Sequence, residues 1–375
     1  MSEQQGGVRH LYVHLPFCSS RCGYCDFVTV VGHAGEHGPY VDALLVELEL
    51  ERGLLADEVE TVFLGGGTPT FTDPTELRRL LRSLPEAEEV TVEANPETVS
   101  PRLSALLRAE GVTRVSLGAQ TFDPRFLEVL DRQAGPDDVR RAFYHLRDAS
   151  FDNISLDLIY GIPGQEPADV ERDLDEALAL GPEHLSCYEL EAKPGTRFTH
   201  VHGDELSRQA ESMESYFELV VDTLTAAGYR WYETANFCRD GRRSRHNLAY
   251  WLGHDYLGLG VGAVSTVSGL RWRNTPGLFR YLTGLAAGQS PARELEPLAD
   301  ATRLMERLML GLRLDEDVPF ADVEAAVDPD ALVRLEGLQL VERRDGGLRL
   351  TRRGRFLGGG VTAELLAEIP ANKYN

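Results

Sequence analysis

Basic side chains are in short supply. Lys and Arg number 38 against 60 Asp and Glu, a formal net charge of −22 over 375 residues. Nucleic-acid binding rests largely on neutralising phosphates, and no Lys/Arg-rich block makes a local exception, so the composition argues against that class of partner. Long apolar runs are also missing. Nowhere do 18 apolar residues follow one another, so no integral membrane segment is expected. Residues 1 to 8, Met-Ser-Glu-Gln-Gln-Gly-Gly-Val, lack the charged and apolar regions of a secretion signal, and a cytoplasmic location is expected. Low-complexity tracts are absent as well. Cysteine is rare, with five in the chain.

Three of those five stand together, in Cys18-Ser-Ser-Arg-Cys22-Gly-Tyr-Cys25, straight after the apolar run Leu11-Tyr-Val-His-Leu-Pro-Phe17. Three thiolates on so short a loop suit one soft metal centre: iron–sulfur, zinc or Cu(I). Structural zinc wants four closed ligands and commonly takes a second pair from elsewhere. Cys187 and Cys238 are isolated and read as small buried hydrophobes, while His14 lies along a strand. A four-iron cluster held by three cysteines leaves one iron open to a ligand. Such a centre requires a reducing compartment.

Short apolar strands alternate with amphipathic helical stretches, which is the pattern of an α/β fold with a parallel sheet. Strands are expected near 11–16, 61–65, 90–94, 114–119, 153–160 and 184–190, with an apolar helical stripe at Val41, Leu44, Leu45 and Leu48 and further helices near 73–84, 100–110, 124–131, 136–149, 167–180 and 209–227. Six such units are too few for a closed eight-fold barrel. From about residue 229 aromatic-rich strands and a Gly-rich stretch replace the alternation. Ser290 to Pro297 reads as a linker. Helical patterns at 299–313, 319–327 and 329–337 then precede a hairpin at 340–350 with a turn at Asp345-Gly346 or Gly346-Gly347, which suggests a winged-helix-like module. Three regions follow: 1–228, 229–290 and 291–375.

Ligands of parallel sheets gather at the carboxyl ends of the strands. Gly65-Gly66-Gly67-Thr68-Pro69-Thr70, Glu93, Gln120 and Asp157 all fall there. Taken with these, the string Tyr12-Val-His-Leu-Pro-Phe-Cys18-x3-Cys22-x-Tyr24-Cys25-Asp26-Phe27 resembles the cluster loop of radical S-adenosylmethionine (SAM) proteins. More narrowly, it is similar to the branch that holds the oxygen-independent coproporphyrinogen III dehydrogenases and the HemW-type heme chaperones. The resemblance implies a (β/α)6 partial TIM barrel with a [4Fe-4S] cluster on Cys18, Cys22 and Cys25. It also implies SAM contacts at Tyr12, Tyr24, Gly66, Gly67, Thr68, Glu93, Gln120, Arg132 and Asp157, and reductive cleavage of SAM.

The branch itself can be narrowed. The dehydrogenases carry a fourth cysteine where Phe27 stands, and a long N-terminal extension ahead of the cluster loop. Downstream, Arg245-His246-Asn-Leu-Ala-Tyr-Trp251 resembles the HNxxYW motif of the heme chaperones, which makes His246 the candidate heme ligand. One departure is Leu130-Asp-Arg-Gln-Ala, which still keeps Arg132 in place. The reading that follows is a chaperone that binds cluster, SAM and heme and hands heme to an acceptor protein, with an electron donor such as flavodoxin. The alternative is a dehydrogenase that converts propionates to vinyl groups.

Overall fold

The computed structural model describes residues 7–191 and 197–367; the remaining positions, among them residues 1–6 of the leader region read above, lie outside the described residues. Six parallel strands come in sequence order: β1 (His10–Leu15), β2 (Val59–Gly66), β3 (Ala87–Ala94), β4 (Arg114–Gln120), β5 (Ile154–Tyr160) and β6 (His184–Glu189). The connections carry the helices α1 (His37–Glu51), α2 (Pro74–Ser83), α3 (Pro101–Ala109), α4 (Pro124–Val129), α5 (Pro136–Asp148) and α6 (Pro167–Leu180). Each helix from α2 to α6 opens on proline, whose fixed φ and missing N–H cost nothing in the first turn. Asp73, Ser100 and Asp123 add side-chain caps to the first three of these.

The period-2 alternation of the strands divides the sheet into two faces. Leu11, Val13, Leu15, Val62, Leu64, Val92, Val115, Leu117, Ile154, Leu156 and Leu185 belong to one apolar core, which they share with helical residues such as Val139, Phe143 and Leu146. Truncating such a leucine to alanine costs about 2–5 kcal/mol. The opposite face, which lines the barrel interior, is polar: His10, Tyr12 and His14 on β1, Glu89 and Glu93 on β3, Ser116 on β4, Asp157 on β5.

The region 229–290 widens this sheet at both edges. Strands β7 (Arg230–Glu233) and β8 (Asn236–Cys238) add antiparallel to β6, while β9 (Leu257–Leu259) pairs parallel with β1, giving nine strands in the order β9-β1-β2-β3-β4-β5-β6-β8-β7. Strands β10 (Val264–Val267), β11 (Leu270–Asn274) and β12 (Arg293–Pro297) make a small antiparallel sheet. The expected linker at 290–297 is thus in part a strand; it is tolerated because β12 is an edge with Pro297 at its end. The helix expected at 209–227 begins later, as α8 (Met213–Ala226), after α7 (Arg197–Gln209).

The C-terminal module holds α11 (Asp300–Gly311), α12 (Phe320–Val323), α13 (Pro329–Gly337) and the hairpin Val341–Arg344/Gly347–Leu350, against which Val318–Pro319 pairs. Asp345 and Gly346 both have positive φ, as a two-residue type I′ turn requires. Two short helices, Arg352–Phe356 and Gly358–Leu365, were not legible in the pattern. The module docks on the barrel through charge: Arg313 Nε donates to the buried Glu233 at 2.7 Å, and Arg230 forks onto Asp315 at 2.7 and 2.9 Å. Among the described residues, no helix is long and apolar enough to cross a membrane.

Candidate active site at the carboxyl end of the barrel

Beyond β1 the chain runs Pro16-Phe17-Cys18, and Phe17–Cys18 pairs parallel with Val30–Val31. Val30 N–H also donates to Pro16 O at 2.8 Å, so the intervening loop is clamped at its neck. Within it, Cys25 N–H donates to Cys22 O at 3.2 Å. Cys18 is buried and Cys22 and Cys25 are half-buried, and all three line one cavity of about 510 Å³. Burial pushes the Cys18 and Cys25 thiols up, with the neighbouring thiols adding to it. Such thiols ionise when a cation takes their charge.

Glycine has a steric reason here. Gly66 has φ +110°, and a Cβ on it would lie 2.5 Å from the His14 ring; on Gly67 it would lie 2.6 Å from the Pro16 carbonyl. The close approach lets Gly67 N–H reach Leu15 O at 2.8 Å and Thr68 N–H reach Phe17 O at 2.9 Å, which seats Thr68 beside the cysteine loop. Thr68 Oγ1 lies 3.4 Å from Cys18 Sγ and accepts from Asn95 Nδ2 at 2.9 Å. Asn95 Oδ1 in turn accepts from Arg132 Nη2 at 2.9 Å, and Arg132 Nη1 reaches Cys22 Sγ at 3.6 Å. A polar strap therefore joins Cys18 to Cys22 through Thr68, Asn95 and Arg132. Asn95 was missed in the sequence reading, although it directly follows Glu93-Ala94 at a strand end.

The cavity floor is acidic. Gly66 N–H donates to Glu93 Oε2 at 3.1 Å, and Ser116 Oγ lies 3.0 Å from both Asp157 oxygens. Burial, then the charge of Asp157, pushes the Glu93 carboxyl up to about 7. Asp157 is raised by burial against its serine hydrogen bonds. Gln120 adopts a left-handed φ of 67° where β4 slips register against β5. Of the expected SAM contacts, Tyr24, Gly66, Gly67, Thr68, Glu93, Gln120, Arg132 and Asp157 line this cavity together with the cysteines. Arg114, Ser186 and Tyr188 line it too and were not singled out, though the period-2 polar positions of β4 and β6 pointed to them.

Tyr12 sits deeper. Its hydroxyl pairs with His14 Nδ1 at 3.0 Å and its ring stacks on Phe63, which itself borders the cavity. His246 requires a correction. Instead of lying outside the barrel, it closes the barrel's amino end on α9 (Arg245–Trp251), 1% exposed. Its Nδ1 is 2.7 Å from Thr61 Oγ1 and its Nε2 is 2.9 Å from Tyr250 OH. The backbone N–H groups of Arg245 and His246 donate to Glu89 at 3.1 Å each. Both ring nitrogens are thus hydrogen-bonded to side chains of the protein.

The donor set fits the cofactors that the motifs imply. Three soft thiols share one cavity, with Arg132 and the Gly66–Thr68 backbone beside them. Among the described residues no three His, Cys, Asp or Glu side chains are gathered as a single ion would need, whereas a multi-iron cluster takes its thiolates at separate corners.

Residues 12–177 match the model of the radical SAM superfamily, and residues 298–357 match that of the HemN C-terminal domain. The heme chaperone HemW of Mycobacterium tuberculosis is 38% identical, over 95% of this chain and 94% of that protein. The heme chaperone HemW of Bacillus subtilis is 32% identical over 96% of this chain and 100% of its own length, and that of Escherichia coli 37% over 69% and 70%. In three dimensions, Escherichia coli coproporphyrinogen III oxidase (HemN), a radical SAM enzyme, superposes with a TM-score of 0.80 at 23% identity, over 97% of this chain and 91% of that one.

Proposed function

Because the chain belongs to the HemW family of radical SAM proteins, we propose that it is a heme chaperone, binding a [4Fe-4S] cluster, SAM and heme and passing heme to an acceptor protein. Cys18, Cys22 and Cys25 would hold the cluster. When bound, cluster and SAM together supply one-electron chemistry. The chain's own residues prepare the place. The strap of Thr68, Asn95 and Arg132 fixes the thiols, and Arg132 can fork onto a carboxylate. Asp157 accepts from hydroxyl or ammonium groups. Glu93, held near neutrality, exchanges a proton with a ligand amine at little cost.

The observation that carries the reading is one cavity lined by three cysteines, the glycine turn and the buried pair Glu93 and Asp157, in a chain similar to the relatives over almost its whole length. The fold likeness to HemN keeps oxidative decarboxylation of coproporphyrinogen as the second reading. Phe27 disfavours it: where the dehydrogenases carry a fourth cysteine, this chain presents a 63% exposed phenyl ring. Anaerobic reconstitution followed by heme titration and a coproporphyrinogen assay on the same sample tests both. Heme binding without vinyl product is expected; vinyl product at catalytic rates would overturn the chaperone reading.

A further inference from the structure

Between the barrel and the C-terminal module lies a second cavity of about 470 Å³, within the roughly 300–1,000 Å³ of small-molecule sites. Tyr188, Glu189 and Glu191 line both this cavity and the one above the cysteines, so the segment leaving β6 is a wall common to the two. The other walls are largely aromatic and apolar. Tyr160 and Phe217 stack at 6.5 Å with 8° between their planes, and Phe356 meets Phe217 edge-on at 5.3 Å. Met309 brings a thioether from α11, and Tyr188 and Met309 are 43% and 45% exposed, so the cavity opens to solvent.

One charged group in this wall is incompletely satisfied. Arg355 packs its guanidinium 3.5 Å over the Trp231 ring and donates through Nη1 to Trp231 O at 3.0 Å. Its Nη2 is buried and has no partner among the described residues. A buried, unpaired donor of a charged group is costly, and an anionic group brought by a ligand would relieve it. Burial lowers this guanidinium to about 10 against the charges of Asp315 and Glu233, which still leaves it protonated at neutral pH.

Apart from Glu189 and Glu191 on the shared wall, the cavity offers aromatic side chains, apolar surface and the guanidinium groups of Arg313 and Arg355, the latter unsatisfied, which match a planar, apolar molecule that carries carboxylates. We propose that this interdomain cavity, rather than the space above the cysteine loop or the buried surroundings of His246, receives the heme, with its macrocycle against Tyr160, Phe217 and Phe356 and a propionate on Arg355. The proposal deepens the chaperone reading and rests on it. Cargo held at an open cleft between two modules, separate from the cluster but sharing a wall with it, can be handed on without dismantling the cluster site.

The test uses the full chain, reconstituted anaerobically, with heme and heme dimethyl ester titrated by absorbance. Gly359 lines the cavity, and a Cβ there meets nothing within 4 Å, so Gly359→Trp has room for its first side-chain atom; Thr362→Trp, at another lining position, is a second variant. Both should weaken heme binding about tenfold or more and leave SAM affinity unchanged. Arg355→Gln should weaken heme about tenfold and leave the dimethyl ester, which has no carboxylate, unaffected. Unchanged heme affinity in folded Gly359→Trp and Thr362→Trp would overturn the site while leaving the chaperone reading standing. Absence of heme binding by the wild-type chain would remove both.

Discussion

Strand β3 carries two glutamates on the same face, Glu89 and Glu93, and the barrel puts them to opposite uses. At the amino end, Glu89 is consumed by the backbone of α9, accepting from two N–H groups. At the carboxyl end, Glu93 accepts a single N–H from Gly66 and otherwise faces the cavity. The histidines all fall on the scaffold side: His10 and His246 at the amino end join Thr61 and Tyr250 in a hydrogen-bonded chain, and His14, which backs the glycine turn, is held by Tyr12 OH and Val28 O. The lesson is that residue type does not separate scaffold from site. What separates them is whether the polar atoms are spent on the protein itself.

The comparison breaks most severely at the cysteines. Cys18→Ala, Cys22→Ala or Cys25→Ala should each abolish iron incorporation, measured as iron and acid-labile sulfide after reconstitution. The double replacement of Cys187 and Cys238 should retain it, because both are buried in sheet strands away from the cavity loop. At the amino end, Glu89→Ala removes a buried carboxylate from two N–H groups at a helix start. It should cost about 3 kcal/mol of stability in chemical denaturation, with cysteine-loop chemistry intact in whatever folds. A loss under about 0.5 kcal/mol, the range of ordinary surface changes, would show that α9 is held by other contacts.

Arg132→Ala should reverse that profile. SAM binding should weaken by about 1.5–3 kcal/mol, the scale of a charged hydrogen bond, as read by calorimetry on the reconstituted protein. Unchanged affinity would place Arg132 in the scaffold.

The effects that build up gradually are those of pH, and the two ends have opposite signs. Burial holds His10 at about 4 and His246 at about 3, below the ordinary 6.5. Below pH 6.5 the unfolded chain therefore binds protons that the folded chain refuses, and their contribution to stability falls as pH drops. Glu93, at about 7 against an ordinary 4.5, keeps a proton in the folded chain that the unfolded chain has released. Its contribution falls as pH rises from 4.5 to about 7, by at most ~1.4 kcal/mol per pH unit. Apo Glu93→Gln should match the wild-type pH dependence below 4.5, gain relative to it up to about 7 and run parallel above. A constant difference across that window would mean that Glu93 is ionised throughout.

The six strands, the helices that connect them and the cysteine loop were legible because they rest on local signals: period-2 alternation, apolar stripes at 3.6 and soft ligands at close spacing. The glycine turn was legible for a steric reason that the sequence hides, namely the passage of β2 against His14 and Pro16. What could not be read is what long-range pairing decides. Leu257-Gly258-Leu259 carries no mark that it belongs beside β1, and an HNxxYW string shows no sign that its histidine will be spent on Thr61 and Tyr250. Asn95 was within reach, since a polar residue following a buried acid at a strand's end faces the same cavity.

The pairing of β9 with β1 also sets an order of events. His10, one residue from the start of that ladder, touches His254 across 244 residues of chain. During synthesis the three thiols emerge well before residues 257–259, on a strand whose outer edge stays unpaired until those residues exist. Closing so long a loop is slow compared with forming the local βα units. The cysteine loop is therefore attached to an unfinished wall until residues 257–259 are made, and the cavity that would protect a cluster, whose lining reaches Asn247, takes shape long after the loop itself.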